Sequence, residues 1–141
     1  MGNERSSVRI DVLLVFLLAY GTASLFHHVH NAEFLAEYPN MPAWLSRVQV
    51  YAAWIGVTAV GLVGYLLVRC RYQLTGLLAL GVYGALGLYG LGHYVVAPLS
   101  AHTLTMNITI WLEVTTALLL LAAVAGSLLK LVRHHREIVQ R

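Results

Sequence analysis

Imidazoles and carboxylates carry the chemistry this chain could do. Its seven histidines include His27, His28, His30, His93 and His102. Neutral imidazole with carboxylate is a donor set for zinc, iron, copper or nickel. The same pairs move protons as general acids and bases. The first cluster reads His27-His28-Val29-His30-Asn31-Ala32-Glu33, with Glu37 one turn further on. At 100° per residue, a helix continuing through it places His27, His30, Glu33 and Glu37 within an arc of about 120°, and His28 points elsewhere. Such three- and four-residue spacings stack side chains on one helix face, as metal-binding Glu-x-x-His pairs do in bundles.

A second stripe lies further along. His102, Met106, Thr109 and Glu113 are 4, 3 and 4 residues apart and share a face, with Met106 read as packing. Glu113 lies roughly 16 Å from His102 at 1.5 Å per residue. A carboxyl that far inside an apolar segment costs several kcal/mol unless it is protonated, paired or coordinated, and so marks a functional site. The expected metal ligands are His27, His30, Glu33, His93, His102 and Glu113, with Glu33 and Glu113 as ligands or as catalytic base. Four alternatives stand beside a zinc, iron or copper site. Haem b could sit between His27 or His30 and His93, with Gly87 and Gly90 making room. A metal-free His/Glu pair could do acid–base chemistry on a small apolar substrate. Glu113 could be the titrating group of a proton- or ion-coupled carrier. The polar groups could instead contact a partner in a membrane complex, this chain being a structural subunit.

The elements that must position these groups follow from composition. Apolar residues make up 59% and charged residues 11%, against about 25% charged in ordinary soluble domains. Mean hydropathy is +0.72. A bilayer core about 30 Å thick needs roughly 20 apolar residues per helix. Four stretches qualify, at about 10–30, 48–68, 74–97 and 104–129, and helices satisfy their own backbone in lipid. The expected fold is therefore all-α: an integral-membrane four-helix bundle, one four-span domain over 1–141. Gly81, Gly84, Gly87, Gly90 and Gly92 mark the third span as central, because small residues let helices approach closely in lipid. The second span, without an ionisable group, reads as scaffold.

Arg5, Arg9, Arg69, Arg71, Lys130, Arg133, Arg136 and Arg141 all fall on one side of these spans, and Arg47 alone falls on the other. Basic loops stay cytoplasmic. Both termini are thus expected in the cytoplasm of an inner (plasma) membrane protein, with the five histidines near the periplasmic face. Trp44, Tyr51, Trp54, Tyr94 and Trp111 fit an aromatic belt. The first span could be a signal peptide cleaved near Gly21-Thr22-Ala23, but Asp11 and the charge rule oppose that. Met1-Gly2-Asn3-Glu4-Arg5-Ser6 fits a myristoylation pattern, and Cys70 could be an interfacial thiol or an acylation site. The single cysteine excludes an intrachain disulfide and a thiolate zinc site. The tail with His134 and His135 suits anionic lipid rather than nucleic acid. The expected partners are the bilayer, a second copy or a membrane complex.

The stretch His30-Asn31-Ala32-Glu33-Phe34, followed by Pro42-Ala43-Trp44, resembles the small bacterial membrane proteins named for an HXXEE motif. His93 followed by Pro98 is similar to their second motif. The likeness covers about twenty residues, and Phe34 stands where the motif has its second Glu. The resemblance implies a four- or five-span protein in which His30, Glu33 and His93 act together, and it implies no substrate.

Overall fold

The computed structural model describes residues 11–140. Met1–Ser6, Arg9 and Arg141, with the acylation pattern and the charges read there, lie outside them. The described chain is helical without strands. Helix α1 is Val12–Glu33 and α2 is Arg47–Arg69. Helix α3, Gln73–Leu86, continues as a 3₁₀ stretch over Gly87–Gly92 and a last turn, α4, His93–Val96. Helix α5 is Leu104–Val139. Four helices are long and apolar enough to cross a membrane, α3 through α4 counting as one.

Local chemistry sets the helix starts. Asp11, Ser46 and Thr103 each accept a backbone N–H three residues on, from Leu14, Gln49 and Met106, which satisfies donors left free at a helix N-terminus. Between α2 and α3 the chain turns in three residues. Tyr72 N–H reaches Leu67 O at 2.9 Å and Arg71 N–H reaches Val68 O at 3.2 Å, with Arg71 left-handed at φ 72°. This is the Schellman pattern of bonds. The tight turn makes α2 and α3 neighbours. Helix α1 packs on α2 and α5, and α3 packs on α2 and α5.

One half of the bundle is apolar. Leu17, Tyr20, Leu77, Leu80, Tyr83, Ala117, Leu120 and Val124 form its core. Outward-facing residues such as Leu18, Ile55, Leu62, Leu78 and Leu118 are apolar too, as a lipid-facing surface requires. Asp11 closes this end by accepting from Tyr65 Oη at 2.8 Å, with Arg69 at 3.6 Å. Partial burial pushes the Asp11 carboxyl up; the bonds from Tyr65 and Leu14 and the Arg69 charge outweigh it and hold it below its ordinary value. A carboxyl lowered in the fold stabilises above its unfolded pKa, and that stabilisation is lost as pH falls through the folded value. Asp11→Asn keeps a capping side chain and removes the charge. It is expected to lower the melting temperature in detergent at about pH 7, with the deficit shrinking steadily as pH falls below the ordinary carboxylate range. A deficit unchanged by pH would show that the charge is not what matters.

Two departures from the expected elements concern the site. Helix α5 continues ten residues past 129, carrying Lys130, Arg133 and Arg136 on a fourth helix longer than a bilayer requires. The third span is not α-helical throughout. Gly87, Gly90 and Gly92 favour the α-helix poorly, and the chain tightens there to three residues per turn. Residues three apart eclipse in a 3₁₀ helix. Gly87, Gly90 and His93 therefore share one face instead of drifting around the helix.

Candidate functional site

The second half of the bundle is polar inside. Tyr20, Ser24, His27 and Asn31 on α1 are buried, and so are His102, Met106 and Glu113 before and along α5. The spacing 20, 24, 27, 31 puts the first set on one helix face. It lies opposite the α5 stripe 102, 106, 109, 113. Between them runs the glycine face of the 3₁₀ stretch. At Gly90 a Cβ would sit 3.2 Å from Glu113 Oε2, and at Gly87 it would sit 2.6 Å from Tyr20 Oη and 2.7 Å from Ala117 Cβ. Only glycine lets this strand of backbone lie so close to the carboxyl.

Glu113 is 3% exposed and lies between two imidazoles. Its Oε2 is 3.6 Å from His27 Nε2 and its Oε1 is 3.7 Å from His28 Nδ1. The partners bear on the tautomers. Thr109 Oγ1 donates to Met106 O at 3.0 Å and lies 3.5 Å from His27 Nδ1, from which it accepts in the tautomer that carries the proton there. In that tautomer His27 turns an unprotonated Nε2 toward the carboxyl. His28 Nδ1–H donates to Ser24 O at 2.9 Å, which folds its ring back along α1. The two imidazoles and Glu113 line a cavity of about 340 Å³, together with His93, Asn31, Tyr20 and Gly90. Val57, Leu86 and Tyr89 supply its apolar wall.

Further imidazoles lead away from the carboxyl. His93 meets His27 edge to face with ring centroids 5.3 Å apart, and His102 meets His93 at 6.0 Å. Asn31 Nδ2 donates to His93 Nε2 at 3.4 Å. His102 Nδ1–H donates to Pro98 O at 3.1 Å. In the loop after α1, Tyr38 packs on His93 and shares a 3.0 Å hydrogen bond with His30 Nδ1. Burial pushes the Tyr38 phenol up to about 12, against the lowering effect of the Thr109 hydroxyl, with the Glu113 charge adding to the rise. Tyr38 is therefore a neutral donor at any physiological pH.

The expected ligand set is only partly brought together. His27, His93 and Glu113 line the cavity, and His102 is one ring further out. His30 faces Tyr38 and Phe34 instead. Glu33 is turned out of the bundle, where it takes Arg47 at 2.7 Å and Tyr51 Oη at 2.6 Å. Exposed and paired, it is not a base for the cavity. Of the motif residues, His30 and His93 are linked through Tyr38, which contacts both, and Glu33 stands apart from them. His28, expected to point away, borders the carboxyl. A 100° step still leaves two successive side chains flanking one groove, and the long Glu113 side chain enters that groove from α5.

Among the described residues, no group of three or more His, Cys, Asp or Glu side chains is disposed to hold a metal ion. His27 and His93, one of the two imidazole pairs named for haem b, meet edge to face with their ring planes 76° apart. Ser24, Asn31 and Tyr20 are not legible from the pattern of imidazoles and carboxylates alone. The signal was there, since they repeat the 4-3-4 spacing of the α5 stripe through His27. No known protein family, curated protein or solved structure matches this chain.

Proposed function

We propose that the chain is an integral membrane protein whose Glu113–His27–His28 group transfers protons to and from a small, largely apolar substrate dissolved in the bilayer. One observation carries this reading: a buried carboxyl lies 3.6 Å from an imidazole nitrogen on the wall of a cavity that is otherwise partly apolar. Proton donor and acceptor so placed are the elements of general acid–base catalysis. His28, held by Ser24, flanks the other carboxylate oxygen at 3.7 Å and closes that side of the cavity. The charge distribution supports a plasma-membrane placement with both termini cytoplasmic and the cavity toward the outer face.

The test is isotopic. The full chain in nanodiscs made from the source organism's membrane lipids is incubated in D₂O. A lipid that gains deuterium only with the protein present is the substrate. Absence of any protein-dependent deuterium incorporation overturns the reading. In the same assay His28→Ala is expected to lose about 10-fold or more, and His30→Ala to stay within about 2-fold, since one positioned acid–base group contributes 10²–10⁴. Equal losses would take His28 out of the site.

A second reading, a zinc, iron or copper ion, is favoured by one distance. Two bonds of about 2.1 Å from one metal, opened to near-tetrahedral angles, span about the His27 Nε2–Glu113 Oε2 separation. Metal analysis of protein purified without chelators decides it. Roughly one ion per chain, lost in His27→Ala, selects the metal; substoichiometric metal unaffected by that substitution rejects it.

A further inference from the structure

A second crevice lies between α1 and α2, with a volume of about 160 Å³. Leu18, Leu25 and Leu62 line it, and all three also face outward from the bundle. Trp54, Thr58 and Tyr83 line it too. Trp54 Nε1 is a buried donor without a hydrogen-bond partner, Thr58 Oγ1 and Tyr83 Oη are buried beside it with no partner beyond each other, and Tyr83 is 1% exposed. Tyr83 is held there because Gly61 admits it: a Cβ on Gly61 would strike its ring. A polar group left unpaired in an apolar medium costs a few kcal/mol, and lipid offers no water to relieve it. With Thr58 and Tyr83 sharing one bond, one hydroxyl and the indole N–H are left to donate into the crevice, and together they describe a recognition surface.

Their chemistry specifies the complement. The indole N–H only donates, and either hydroxyl can donate. The group they fit is an oxygen acceptor, and a carbonyl with two lone pairs uses the donors without needing any from the ligand. The remaining walls are leucines open to the lipid side, which suits a hydrocarbon chain entering laterally. Residues 17–25 and 54–62 sit mid-way along α1 and α2, so the oxygen belongs near the bilayer centre. For a ligand anchored at the surface that is about ten to twelve carbons down its chain, given a core about 30 Å thick.

We propose that this crevice is a second binding site, taking a membrane amphiphile that carries a carbonyl oxygen near the middle of its chain. It stands apart from the Glu113 cavity: Tyr20 lines that cavity and Tyr83 this one, and their rings pack at 4.4 Å between the two. The site does not depend on the acid–base reading.

The test uses the full chain in dioleoylphosphatidylcholine nanodiscs, with Trp44→Phe and Trp111→Phe leaving Trp54 as sole reporter. The probe is 10-oxooctadecanoic acid and the comparison is octadecanoic acid. The keto acid is expected to change Trp54 emission saturably, with a midpoint at least about 10-fold below that of the plain acid, a preference of about 1.4 kcal/mol. Adding Thr58→Val with Tyr83→Phe is expected to erase the preference while helicity is kept. Should that pair fail to fold, Thr58→Val alone is expected to reduce it at least about 3-fold, the share of one lost hydrogen bond. Equal midpoints for the two acids, or an emission that never saturates, overturn the proposal and leave ordered water as the partner of these groups.

Discussion

Glu113→Gln will reduce protein-dependent deuterium transfer at least about 100-fold, because removing the titrating group of an acid–base pair forfeits a factor of 10²–10⁴. The substitution keeps shape and hydrogen-bonding reach while removing the ability to give up a proton. The amide still sits between His27 and His28, and Gly90 leaves the same room beside it. Insertion and thermal stability should therefore hold or improve, since a neutral amide is cheaper to bury than an ionisable group. The decisive comparison is activity lost with stability kept. An unchanged transfer rate would remove Glu113 from the chemistry. Equal loss of rate and of folded protein would make it a structural partner of the imidazoles. Asp at the same position is a useful third point. It restores the carboxyl but withdraws it by one methylene, and should recover only part of the rate.

Gly76→Ala is expected to be the most damaging single methyl in the bundle, at about 3 kcal/mol, the upper range for overpacking. The added Cβ would lie 2.6 Å from the Val68 backbone nitrogen and 2.7 Å from the Gly64 carbonyl oxygen. Both neighbours are backbone in α2 and cannot rotate away. The two helices must separate along the seam that the short turn after α2 closes. In lipid, close approach of small residues is itself the main source of helix association. Gly56→Ala is the control, because nothing lies within 4 Å of its added carbon, and alanine favours the helix over glycine by roughly 1 kcal/mol. Denaturant titration in mixed micelles should separate the two variants by several kcal/mol. A Gly76→Ala protein as stable as the parent would mean that α2 and α3 do not pack at this distance.

The four long apolar helices could be read from composition and run length. The polar faces could be read only where one helix phase governs them. Met106, Thr109 and Glu113 keep the spacing that a single continuous helix imposes, and their alignment on α5 needed no other element; His102 lies before α5 in extended backbone, so its place near them is set by the fold. His27 was readable for the same reason on α1. His30 and Glu33 have the right phase but lie at the last turn of α1, where the chain leaves the bundle. There Tyr38 and Arg47, both from the following segment, capture them. Phase says which way a side chain leaves its helix and says nothing about what waits there.

Residue order alone thus determined the helical class, the four apolar segments and the two stripes, because these depend on local periodicity and on the length of chain that a bilayer demands. The placement of His28 against Glu113 and the convergence of Trp54, Thr58 and Tyr83 were decided by the tertiary structure. Each arises where two or three helices cross, and the distance between groups on different helices is set by packing, on which spacing along one chain has no hold.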